Sequence, residues 1–170
     1  MPSAFCISVT AVTSNRHGSA VIEFPSELEI LTTREFDAPI ELVFDVFTRA
    51  AHLSKTFAPF GEKVTVCEVD LRVGGSYHIV FVTDDGRECS FRGTYLEVEP
   101  PTRTVQTWLF DGWPDAEAVE TMDLDETDGV TTMTHVLAFR DQAGRDHMSK
   151  FDGMEATWDN VEDYLRSLQQ

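Results

Sequence analysis

MSKFDGMEATWDNVEDYLRSL, residues 148–168, sets Met148, Phe151, Met154, Trp158, Val161, Leu165 and Leu168 at steps of three and four. With 3.6 residues per turn these positions share one stripe, so the run predicts a single long helix whose apolar side must be buried. Gly153, one turn into that helix, costs roughly 1 kcal/mol relative to alanine. Either close approach of a sheet or ligand compensates, or the helix kinks there.

The partner for this stripe lies upstream. Runs at 63–71, 75–83, 88–98, 103–110, 117–124 and 130–139 read as strands, separated by turn chemistry. Asp84-Asp85-Gly86 and Asp128-Gly129 supply the positive-φ residues of tight hairpins, and Pro100-Pro101 cannot extend a central strand. Sequential antiparallel pairing follows. Before these runs, Ala20 to Phe24 and Leu28 to Phe36 flank the turn-prone Pro25-Ser26 and read as one strand or a bent pair. Pro39 at a first helical position, with Glu41 in the first turn, starts a helix that runs to about Arg49. A short helical turn over Ala51 to Thr56 leads into the aromatic loop Phe57-Ala58-Pro59-Phe60-Gly61.

The expected fold class is therefore α+β: a curved antiparallel sheet wrapped around a long C-terminal helix, with two short helices near the N-terminal part. At 170 residues the chain fits a single domain with room for a sizeable core. Residues 1–18 read as a loosely ordered leader and 19–170 as the domain; no repeat or linker divides the latter. Acidic residues outnumber basic ones 30 to 13, a net charge of −17 that repels a phosphate backbone or an anionic bilayer. Nucleic acid and membrane are thus not expected partners. No basic n-region or long apolar segment signals export, and Cys6, Cys67 and Cys89 are odd in number without CxxC spacing. A cytoplasmic protein with reduced thiols is the expectation, those of Cys67 and Cys89 buried.

A twisted sheet capped by one helix encloses a cavity. Alternation puts Met133, His135, Leu137 and Phe139 on one face of the last strand. Trp108 and Phe110 alternate likewise in theirs, as do Tyr77, Ile79 and Phe81. With Phe57, Phe60, Met154 and Trp158 they form the candidate ligand-binding lining. A solid core would use the same residues. The polar minority favours a pocket: His135 on an otherwise apolar face, and Tyr77 with adjacent His78, are placed to orient a mostly apolar ligand. No catalytic motif is visible, so no catalytic residue is assigned. Asp123, Asp125, Asp128 and Gly129 depart from a calcium loop and read as a solvated hairpin, while the five histidines lack ligand spacing. No metal or cofactor is expected.

Several stretches are similar to one known family in order and spacing: ThrArgGluPheAspAlaPro at 33–39, ValPheAspValPheThr at 43–48, AspLeuArgValGlyGlySerTyr at 70–77, GlyThrTyrLeuGluValGluProPro at 93–101 and ThrTrpLeuPhe at 107–110. They resemble bacterial homologues of the heat-shock-protein-90 ATPase activator C-terminal domain, in the START-like, or SRPBCC, helix-grip superfamily. The likeness spans about 20 to 169. It implies a hydrophobic cavity between sheet and terminal helix, with relatives that bind lipids, steroids or hormones, cyclise polyketides or respond to stress. Thr56-Phe57-Ala58-Pro59 replaces a Trp-Trp-Gly-Pro-like segment of the family, and Met154 stands where the family often has Trp. The resemblance thus implies a different pocket mouth. Binding of a small apolar molecule is the first expectation, a polyketide aromatase- or cyclase-like enzyme the second, and a protein-interaction or cochaperone-like module the third. A separate N-terminal chaperone-binding domain, which the eukaryotic activator carries, is not expected before residue 20. Oligomeric state stays open, a homodimer included.

Overall fold

Period-two burial along the chain decides where the sheet bends and what covers it. The computed structural model describes residues 15–170; most of the expected leader, 1–14, lies outside the described residues. Eight strands are present: β1 Val21–Glu23, β2 Glu29–Phe36, β3 Lys63–Val69, β4 Ser76–Val82, β5 Glu88–Glu99, β6 Arg103–Phe110, β7 Ala118–Thr127 and β8 Val130–Phe139. They form one antiparallel sheet in the order β1-β2-β8-β7-β6-β5-β4-β3. From β3 to β8 it is a plain meander, and β2 returns to pair with β8. Every second residue of β8, from Thr131 through His135 to Phe139, is buried, so one face packs inward throughout. Asp128 and Gly129, at φ 52° and 79°, make the tight turn between β7 and β8.

Two short helices follow Pro39: α1 Ile40–Thr48 and α2 Ala50–Thr56, split at Arg49, whose backbone is extended. A single 3-10 turn at Pro59–Gly61 carries Phe60 at φ 54°. After β8 come α3 Gln142–Met148 and α4 Gly153–Leu168. The single long helix expected from the sequence is thus two helices. Met148 ends α3, Phe151 sits 56% exposed in the connection, and Gly153 is the first residue of α4 and not a residue one turn inside it. Asp152 and Gly153 explain the break, since Asp competes for its own backbone groups and Gly has the highest backbone entropy to lose. A Cβ at Gly153 would stand 3.6 Å from Pro59, an ordinary distance, so no close approach requires the glycine.

α4 and α1 lie against the inward face of the sheet. Val43, Phe44 and Val46 of α1 and Trp158, Val161 and Leu165 of α4 bury with Phe36, Met122, Leu124 and Met133. At roughly 2 kcal/mol for each large side chain removed from water, this cluster dominates the docking of both helices. One polar device joins it. Arg34 of β2 has no exposed side-chain surface, and its guanidinium meets Glu155 and Asp159 at 2.8 Å and Glu162 at 3.0 Å. Residues 15–18, expected to be loose, are held at the same place. The Arg16 carbonyl accepts from Arg34 at 3.1 Å, the Arg16 amide donates to Glu162 at 2.8 Å, and the Arg16 side chain pairs with Glu35 and Asp37. His17 Nε2 lies 2.8 Å from Asp163. Among the described residues no helix is long and apolar enough to cross a membrane.

Candidate functional site

β4 through β8 curve away from α4 on the side remote from the Arg34 cluster, and side chains do not fill the gap. An open space of about 800 Å³ remains, bounded by the inner face of these strands, α4 and the segment Thr56 to Glu62. Phe60, 62% exposed, together with exposed Trp113 and Phe151, marks its mouth. Trp113 stacks on His147 with ring centres 3.9 Å apart, and His147 meets Phe151 edge-on at 5.3 Å.

One wall is aromatic because neighbouring strands present Phe and Trp in register. Phe91 of β5 faces Phe110 of β6 and Ile79 of β4 in direct pairing. Its ring stacks on Phe110 at 4.9 Å and on Phe81 at 5.9 Å, while Phe57 approaches edge-on at 5.3 Å. These offset and edge geometries suit quadrupolar rings. Tyr77 and Tyr95 continue the wall. The Tyr77 hydroxyl donates to the Thr107 carbonyl at 2.9 Å. Burial pushes the Tyr77 phenol far above its ordinary range, and the nearby Glu120 carboxylate adds to the effect. Tyr95 is raised for the same two reasons. Both remain protonated at any physiological pH.

A second wall is polar. Gln106 of β6 pairs directly across from Glu120 of β7, and its Nε2 donates to Glu120 Oε2 at 2.7 Å. His135 of β8 meets the other carboxylate oxygen, Nε2 to Oε1 at 2.6 Å, and packs edge-on against Trp158 at 5.4 Å. The tautomer with its proton on Nε2 serves this bond. His135 Nδ1 is buried without a partner, a bare acceptor in that tautomer. The Glu120 side chain keeps 21% of its surface, open to the space.

Of the lining residues expected from the sequence, Phe57, Phe60, Tyr77, Ile79, Phe81, Trp108, Phe110, His135, Leu137, Met154 and Trp158 all border the space. Met133 and Phe139 do not. Met133 shares the inward face of β8 but lies where α1 and α4 rest directly on the sheet, and Phe139 packs edge-on against Trp108 beside Ile30 and Ala118. His78 points to the opposite face, within 2.9 Å of the Ser90 hydroxyl, and cannot orient anything inside. Cys67 and Cys89 are half-buried where full burial was expected, and burial raises both thiols. Sequence reasoning missed Phe91, Tyr95, Gln106 and Glu120. The alternation that placed Trp108 and Phe110 inward reaches Gln106 two residues earlier, so the signal was present for that residue. Among the described residues no three His, Cys, Asp or Glu side chains gather as metal ligands would.

The model of the family described as activator of Hsp90 ATPase homolog 1-like protein matches residues 37–166. A solved protein from Rhodobacter sphaeroides is 22% identical, with 87% of this chain and 99% of that one covered at a TM-score of 0.81. One from Nitrosomonas europaea is 25% identical over 86% and 99%, TM-score 0.75, and one from Chromobacterium violaceum 26% identical over 82% and 98%, TM-score 0.72. No curated protein matches the chain.

Proposed function

We propose, for a chain that belongs to the activator of Hsp90 ATPase homolog 1-like family within the START-like helix-grip superfamily, that it binds a small apolar molecule in the space beneath α4. The observation that carries this reading is an unfilled space of about 800 Å³ walled by stacked aromatic rings. A concave space of this size, mostly apolar with a few polar groups, has the form of a small-molecule site. A ligand of two or three fused rings that buries about 300 Å² there gains on the order of 7 kcal/mol before the cost of association is subtracted. Trp108 and Trp158 border the space and report on occupancy by their fluorescence.

The test is a titration with N-phenyl-1-naphthylamine, alongside native mass spectrometry of the protein as purified. Saturable one-to-one uptake, reduced in an Ile79→Trp variant that fills the space, is expected. Absence of both saturable uptake and any co-purified molecule would sink the reading. A second reading, an aromatase- or cyclase-like reaction, is favoured by one observation, the His135 imidazole fixed by the Glu120 carboxylate on the wall. Against it stands His135 Nδ1, which is sealed from the space and so lacks a route for proton transfer.

A further inference from the structure

The polar wall carries information about ligand chemistry beyond apolar fit. Glu120 accepts one hydrogen bond on each oxygen, from His135 and from Gln106. A carboxylate has about four lone-pair sites, so acceptor capacity remains on the part of Glu120 that faces the space. Because Gln106 turns its amide nitrogen to Glu120, its Oε1 is a further acceptor. The Tyr77 hydroxyl, a donor on the same wall, is committed to the Thr107 carbonyl. Thr104 and Tyr95 contribute hydroxyls that can do either.

Charge points the same way. Glu62, Glu88 and Asp152 border the space in addition to Glu120. The only arginine or lysine on its border among the described residues is Arg87, whose Nε is 2.9 Å from Asp85. The whole chain adds a net charge of −17. An anionic group entering here would leave water and meet no free cation, which is unfavourable.

We infer that the space selects a neutral or cationic aromatic ligand bearing a hydroxyl or amino hydrogen-bond donor, held through that donor on Glu120, and rejects carboxylate-bearing molecules of the same size. The inference rests on the ligand-binding reading above and deepens it. Stacked rings supply affinity for any flat ligand, and Glu120 supplies the choice among them, because a donor aimed at a partly desolvated carboxylate makes a charge-assisted bond.

Three probes of one shape separate these contributions by isothermal titration at pH 7: 2-naphthol, 2-methoxynaphthalene and 2-naphthoate. The first donates, the second cannot, and the third is an anion. For the intact protein 2-naphthol is expected to bind about tenfold or more tighter than 2-methoxynaphthalene, the effect of one charge-assisted bond. 2-Naphthoate should bind weakest. In Glu120→Gln the preference for 2-naphthol over 2-naphthoate should shrink by about tenfold or more, with circular dichroism checking the fold. His78→Ala, on the opposite face of the sheet, should retain the ranking. Equal binding of the three probes to the intact protein overturns the inference while leaving the cavity reading intact. Failure of all three to bind removes both. If Glu120→Gln does not fold, the ranking of the three probes on the intact protein decides.

Discussion

Taking a guanidinium wholly out of water costs several kcal/mol, and Arg34 offsets that cost only because three carboxylates of α4 close around it. Glu155, Asp159 and Glu162 stand at i, i+4 and i+7, one face of a helix, so a single strand residue fixes both the rotation and the height of α4. Arg34→Ala should therefore destabilise the fold by about 3–5 kcal/mol, since it leaves three carboxylates crowded without their cation. Urea denaturation midpoints check this. Arg34→Lys should recover only part, because one ammonium cannot bridge three acids in a fork. The alternation of EILTTREF puts Ile30, Thr32, Arg34 and Phe36 inward, a signal the sequence reading passed over, and which carboxylates of α4 answer Arg34 is not legible from it. Glu120 is harder to see. Its strand mixes acidic and apolar residues on both faces, so the alternation that marks β8 gives no clear phase in β7.

Among the elements, β5 depends on Gly93. A Cβ there would collide with the Thr107 carbonyl oxygen of β6 and stand 2.7 Å from Tyr77 Cε1. The missing side chain lets the Tyr77 ring lie flat over the strand and its hydroxyl reach Thr107. Gly93→Ala should force β5 away from β6 and cost about 1–3 kcal/mol, the range of an overpacked core site, with a loss of near-ultraviolet dichroism from the displaced tyrosine. Thermal melts would measure it. Strands are legible in the sequence because alternation reports burial and backbone together. The terminal helix is less so. Its three-and-four spacing continues back through Phe151 and Met148, although the chain leaves helical geometry between Ser149 and Asp152. Spacing alone does not show where a helix is interrupted, and a short helix followed by a long one can carry the same pattern as a single helix.

For the whole molecule, charge is the largest influence on stability that packing does not set. A net charge of −17 on a folded chain repels itself, and salt screens that repulsion over about 10 Å at 0.1 M. Melting temperature should accordingly rise between roughly 10 mM and 0.5 M sodium chloride, the last being well inside the screening regime. In Arg34→Ala the rise should be steeper, because Glu155, Asp159 and Glu162 lose that cation and join the repulsion, Glu162 alone keeping Arg166. A flat profile in the intact protein would mean that local ion pairs already balance the surface. The curvature that leaves the gap beneath α4 is not legible, since it depends on twist summed over several strands. Strand phase makes part of the lining legible, Glu120 excepted, and Met133 and Phe139 show the limit: phase tells which face, not how far along it the helix rests.

Sheet order carries one last consequence. β2 comes early in the chain yet hydrogen-bonds to β8, which completes the meander. Neither Arg34 nor the first residues that grip α4 can reach their places until β8 exists to hold β2. Folding should therefore be slow for a chain of this length, with distant loop closure in the rate-limiting ensemble. The clasp of Arg16 and Arg34 on α4 thus joins segments far apart in the chain.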